Sequence, residues 1–172
     1  MTNPIADVAA LLEASGVPYA IIGAHAVNVW LEPRFTADID VTVQAGAPEL
    51  EQLKTVLTAR GFSVAREHGA DLPSGPDFVR FTSPDSTIVV EVQAAKTDFQ
   101  REVIRRSVIE RGARVATPED LIVLKLIAGR AKDEVDLVGL VRLPAVDWPY
   151  VEHWASEWGV VDRLARVRQD AG

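Results

Sequence analysis

Ala20-Ile21-Ile22-Gly23-Ala24-His25-Ala26, continued through Pro33-Arg34-Phe35-Thr36-Ala37 into Asp38-Ile39-Asp40-Val41-Thr42-Val43, is the stretch that decides the fold. A buried strand runs into a glycine turn and a short apolar helix. A second strand follows, with carboxylates at i and i+2. Side chains two apart on a strand share a face. Asp38 and Asp40 therefore converge, while Ile39, Val41 and Val43 take the apolar side. Two ionised carboxylates held close repel unless a cation sits between them. Hard oxygen donors of this kind suit Mg²⁺, which takes one or two protein carboxylates and leaves its other positions to substrate phosphates.

Outward from this stretch, the patterning alternates strand and helix. An amphipathic helix over residues 4–15 ends at Gly16. Gly46-Ala47-Pro48 opens a helix to Arg60, with Pro48 suited to the first turn and Gly61 as its stop. Phe62 to Arg66 reads as a strand, and 69–76 as a polar loop punctuated by Gly and Pro. Phe78–Thr82 and Thr87–Val92 read as strands joined in a hairpin through Ser83-Pro84-Asp85-Ser86. Glu91 lies on the second of these, on the side where a third carboxylate meets the first two. From about residue 97 the pattern is mainly helical. Thr117-Pro118-Glu119-Asp120 is a strong helix start, with an N-cap hydroxyl, Pro in the first turn and two acids behind it. Helices follow to Arg130, from Lys132 to Val141, from Trp148 to Trp158 and from Val160 to Val167. The expected class is α/β (α+β): residues 1–96 form a core with a short mixed sheet flanked by helices, and residues 97–172 form a helical region packed on it.

Composition bounds the function. At 172 residues, one domain with a helical appendage is the default. No cysteine is present, which excludes disulfides, thiolate metal sites and a Cys nucleophile. The chain shows no basic-then-apolar leader at its start and no apolar run near the ~20 residues that span a bilayer, so a cytoplasmic protein with no membrane partner is expected. The net charge is −7, from 25 acidic and 18 basic side chains, so a global basic field for nucleic acid is absent. A polyanionic ligand then needs local patches and divalent cations. Arg101, Arg105, Arg106, Arg111 and Arg114 are such a patch, read as a solvated helix face or, as a minority reading, an RNA or partner surface. Trp30, Trp148, Trp154 and Trp158 are read as core or interface residues, and His25 as packed or exposed rather than metal-bound.

Gly23-Ala24, thirteen residues, then Asp38-Ile39-Asp40-Val41 resembles the signature of the DNA polymerase β-like nucleotidyltransferase superfamily, in which Gly-Gly or Gly-Ser precedes an acidic strand. The later block, from Thr117-Pro118-Glu119-Asp120-Leu121 through Lys125 to Arg130-Ala131-Lys132-Asp133-Glu134-Val135-Asp136-Leu137, resembles that of AbiEii-like, MNT-type nucleotidyltransferases. The resemblance implies an enzyme that moves a nucleoside monophosphate from an NTP to an acceptor hydroxyl with Mg²⁺ (or Mn²⁺). The acceptor it implies is RNA, such as a tRNA end, and the context is a toxin with a cognate antitoxin. It implies Asp38 and Asp40 as metal ligands and Glu91 as a third ligand or base. Lys125 is implied as a point charge on the triphosphate. Gly23 and Ala24 take the phosphates through backbone N–H groups, Arg34 and Thr36 stand on the approach, and Arg130 and Asp136 lie near Lys125. Ala24 departs from the pattern, since it has no hydroxyl to offer a phosphate. For Asp133 and Asp136 the alternative is helix-surface pairing with Arg130 and Lys132. Two rival functions stay open: transfer to a small cationic acceptor such as an aminoglycoside, which an acidic protein suits, and nucleotide or partner binding without catalysis.

Overall fold

The computed structural model describes residues 4–69 and 77–172. The expected loop falls mostly outside them, at residues 70–76. In chain order the elements are helix α1 (Pro4–Ser15), strand β1 (Tyr19–Ile22), α2 (Gly23–Trp30), β2 (Asp38–Val43), α3 (Ala47–Ala59), β3 (Ser63–His68), β4 (Phe78–Thr82), β5 (Val89–Ala94), α4 (Asp98–Arg106), β6 (Val108–Glu110), β7 (Ala113–Val115), α5 (Pro118–Ala128), a 3₁₀ turn (Ala131–Asp133), α6 (Glu134–Val141), α7 (Trp148–Glu157) and α8 (Val161–Ala171). Contacts divide the chain into two compact units, Met1–Ala26 with Arg34–Ala116, and Val27–Pro33 with Thr117–Gly172.

The first unit is built on a seven-stranded mixed sheet in the order β3-β4-β5-β2-β1-β7-β6 among the described residues. β2 lies antiparallel to β1 and parallel to β5, which puts the acidic strand at the centre. Ile39, Val41, Val90 and Val92 are all but fully buried, as the period-2 alternation requires. The β4–β5 hairpin closes through Asp85, whose carboxylate accepts from the Ser83 hydroxyl at 2.6 Å and the Thr87 hydroxyl at 2.8 Å. β3 is an edge strand; its Glu67 pairs with Lys54 of α3.

The segment after residue 97 departs from the mainly helical expectation. α4 forms on the Thr97 N-cap, but β6 and β7 then make a hairpin, and β7 pairs parallel with β1. That pairing draws residues up to 116 into the first unit, so the contacts divide the chain elsewhere than at 96/97. Arg111 and Gly112 both have positive φ, 51° and 83°, the backbone of a tight two-residue hairpin turn.

The second unit is helical. Thr117 caps α5 by accepting from the Asp120 backbone N–H at 3.4 Å, and Gly129 closes it in the left-handed conformation at φ 68°. α5 packs against α6 and α7, and α6 against α8. Asp120 is fully buried and accepts from the Tyr150 hydroxyl at 2.6 Å and the Thr117 hydroxyl at 2.8 Å, so its charge is compensated by donors. None of the four tryptophans is fully buried: Trp30, Trp148 and Trp154 are half-buried and Trp158 is exposed. Trp148 instead carries the Arg168 guanidinium 4.3 Å above its ring. No helix among the described residues is long and apolar enough to cross a membrane.

Candidate active site

β1 ends at Ile22 and α2 begins at Gly23 with no intervening loop. The turn requires φ 64° at Gly23, a conformation that costs any residue with a Cβ. Space excludes a Cβ as well: one at this position would lie 2.8 Å from Cγ and 2.9 Å from Cβ of Asp40. The Asp40 side chain therefore rests on the bare Cα of Gly23, at the first turn of α2. Ala24 is the next residue of that turn, half-buried. Gly23 and Asp40, far apart in sequence, form one piece of construction.

The register carries the rest across the sheet. Asp40 pairs with Glu91 on parallel β5, Glu91 pairs with Arg80 on β4, and Arg80 pairs with Arg66 on β3. One transverse row thus reads Arg66, Arg80, Glu91, Asp40. Asp38, two residues before Asp40, shares its face. Arg80 Nη1 donates to Glu91 Oε1 at 2.7 Å, and its Nη2 stands 3.7 Å from Asp38 Oδ1. The side chains of Arg80, Asp38 and Glu91 are 37%, 42% and 24% exposed. A hollow of about 60 Å³ is lined by Ile22, Asp40, Val41, Phe78, Glu91 and Gln93. Larger hollows, of about 430 Å³ beside Tyr19 and Arg114 and about 360 Å³ between α6 and α8, do not contain the carboxylates. His25, on the first turns of α2, is pushed below the ordinary histidine range by burial, with Asp38 pulling the other way.

The sequence expectation gathered Asp38, Asp40 and Glu91 into one metal cage. The structure puts them on one face, but among the described residues no three acidic or histidine side chains converge on a single ion position. Arg80 pairs with Glu91 and approaches Asp38. Chemically the three are hard-oxygen donors of the kind that divalent cations take. Arg34 is exposed and Thr36 half-buried on the loop ahead of β2.

Lys125, Arg130 and Asp136 belong to the second unit and form a cluster of their own. Lys125 Nζ donates to Asp133 Oδ1 and to Asp136 Oδ2, each at 2.8 Å, and the lysine side chain is 5% exposed. Its ammonium, expected on a triphosphate, is therefore engaged by two buried carboxylates and not presented outward. Burial alone would raise Asp133, but hydrogen bonds from Arg130 and Lys125 outweigh it and hold the carboxyl below its ordinary value. Arg130 is exposed, its guanidinium pinned by Asp133 at 2.7 Å. Both pairings, Arg130 with Asp133 and Lys125 with Asp136, were among the sequence expectations; Asp136 takes Lys125 and not Lys132.

The residue that sequence reasoning missed is Arg80. Its signal was available: Val79-Arg80-Phe81 alternates, and the β4–β5 hairpin puts Arg80 opposite Glu91.

The sequence matches no protein-family model and no curated protein. Solved structures do match. An antigenic nucleotidyltransferase-like protein from Paracoccidioides brasiliensis superposes with TM-score 0.64 at 18% identity, over 97% of this chain and 88% of that one. The antibiotic-resistance factor ANT(2'')-Ia superposes with TM-score 0.59 at 16% identity, over 94% and 91%. The Megavirus polyadenylate synthase does so with TM-score 0.54 at 12% identity, over 83% of this chain and 32% of that one. The chain thus has the fold of the nucleotidyltransferases.

Proposed function

We propose that this protein is a nucleotidyltransferase. An acceptor hydroxyl attacks the α-phosphorus of an NTP, a new phosphoester forms, the bond to the β-phosphate breaks, and pyrophosphate leaves. The observation that carries this reading is the seating of the Asp40 side chain on the Cα of Gly23, beside Glu91, at the first turn of α2. A helix start presents unpaired N–H groups to phosphate. Here those N–H groups and the carboxylates are set side by side by one close contact.

Asp38 and Asp40 are the residues that would hold Mg²⁺, or Mn²⁺ in its place. A divalent cation bound there neutralises charge on the phosphoryl group and on the departing pyrophosphate. Gly23 and Ala24 take phosphate oxygens through backbone N–H groups. Glu91 would complete the set as a third ligand, or would receive the proton of the acceptor hydroxyl. Arg34 and Thr36 flank the approach.

The AbiEii-like sequence block supports RNA, such as a tRNA 3′ end, as the acceptor. With it come a toxin role and a cognate antitoxin. A second reading, transfer to a small cationic acceptor, is favoured by the net charge of −7 and by the match to ANT(2'')-Ia along nearly the whole of both chains.

Incubation with each labelled NTP, Mg²⁺ and either total tRNA or an aminoglycoside distinguishes them. Label on RNA is the expected result; label on the aminoglycoside selects the second reading. Nucleotide that raises the melting temperature but yields no transfer, with Asp40→Asn indistinguishable from wild type, removes the enzymatic reading.

A further inference from the structure

We propose that Arg80 is a built-in counter-cation that keeps divalent metal out of the site until nucleotide arrives. The inference rests on the nucleotidyl-transfer reading. Its ground is geometric. The Arg80 guanidinium lies in the transverse row directly beside Glu91, bonds it at 2.7 Å, and reaches to 3.7 Å from Asp38. It thus draws on two of the three carboxylates that a metal would need, and those carboxylates do not converge on one ion position as they stand. An arginine fork is suited to this task because it spans two acceptors at once.

The other flank fixes its direction. Arg66 is the cross-strand neighbour of Arg80 on β3, and like charges opposite each other repel. The guanidinium is therefore driven toward the acids. The pair is held firmly enough to exist and loosely enough to yield, because all three side chains remain partly exposed and such pairs are weak. A metal ion alone must displace the guanidinium from Glu91. A metal carried on a triphosphate brings anionic oxygens to which the displaced guanidinium can turn. Arg80 thus makes metal loading conditional on nucleotide.

The test is titration of Mn²⁺ alone into the full chain, without nucleotide, following the free-ion electron paramagnetic resonance signal. Wild type, R80Q and R80K are compared, each with and without Asp40→Asn. R80Q is expected to bind Mn²⁺ about two- to fivefold more tightly than wild type, as loss of one competing exposed pair implies. R80K keeps a cation on the strand but cannot fork across two carboxylates, so it is expected to fall between them. Equal or weaker binding by R80Q overturns the gate while leaving the metal site standing. Absence of any binding sensitive to Asp40→Asn, in wild type and R80Q alike, overturns the metal site itself and the gate with it. Should circular dichroism show R80Q unfolded, R80K decides: an affinity equal to wild type overturns the proposal.

Discussion

The face of β2 and β5 and the α5–α6 region carry the same chemistry in opposite settings. On the sheet, Asp38 and Glu91 are 42% and 24% exposed and share one arginine. In the helical unit, Lys125, Asp133 and Asp136 are 5%, 3% and 4% exposed and bond one another at 2.8 Å. A buried charge stays ionised only when its partners are in place, and removing one partner leaves an uncompensated charge. A half-exposed charge keeps water as an alternative partner and can exchange it for a ligand. Residue type is therefore no guide to role here. Burial is what separates the two sets of charges.

The largest effect that sharpens this contrast is on turnover. Asp40→Asn should lower nucleotidyl transfer about a thousandfold, since metal-linked charge stabilisation is worth several kcal/mol and each 1.36 kcal/mol is tenfold in rate. Its melting temperature should stay close to that of wild type, because Asn keeps the side-chain shape that seats on Gly23. Rate and melting curve measured on one preparation check this. A large fall in stability with transfer retained would put Asp40 among the structural charges and break the comparison at its first member.

The second effect is on stability. Lys125→Met leaves Asp133 and Asp136 buried without their shared ammonium, a change that costs about 3–5 kcal/mol. Urea unfolding measures it, and at an m-value of about 1–3 kcal/mol/M the midpoint shift is large. If the variant instead melts like wild type and loses only transfer, Lys125 contacts the triphosphate after all, and the buried cluster becomes a ligand site. Replacing Lys125, Asp133 and Asp136 together by apolar residues should recover much of the loss, since charge left without a partner is the cause.

Much of this was legible in the residues because it is local. The alternation of Asp38 to Val43 announces its own strand and faces; Thr117-Pro118 and Gly129 announce both ends of α5. Even Glu91 could be brought to Asp40 by a period-2 reading and a hairpin. What was not legible depends on pairing between distant segments. β6 and β7 have three residues each, and they exist because β7 finds β1, a partner nearly a hundred positions away that no window contains. Their one local mark, Arg111-Gly112, is a poor version of the usual Asn-Gly turn signal. Arg80 was passed over because an isolated arginine on a strand reads as a solvated side chain until the register sets it beside Glu91. Lys125 stands inside an otherwise apolar helix. Its partners lay one turn and one helix further on, where sequence alone could not separate a bond to Lys125 from surface pairing.

The smallest effect separates the two regions by acid. His25, beside Asp38, has its folded value depressed by burial, so the unfolded chain binds a proton first as pH falls below the ordinary 6.5. Stability from this group is therefore present at higher pH and declines as pH drops from there toward the depressed folded value. Asp133 is depressed too, but it is a carboxyl: what it contributes is present above its ordinary 3.8 and is lost only as pH falls from there through the lower folded value. Thermal melts between pH 7 and pH 3 should thus show an earlier loss to which His25 contributes and a later one that Asp133 shares with other depressed carboxyls such as Glu102. The earlier should be flattened by His25→Gln, and the later by Asp133→Asn, which lacks the titrating group. The order follows from which charge state each setting favours. The histidine is held neutral by a packed helix turn, whereas the aspartate is held charged by Lys125 and Arg130. If His25→Gln leaves the first decline untouched, burial of the imidazole is not what opposes its proton, and the turn that seats Asp40 is more open to water than its packing implies.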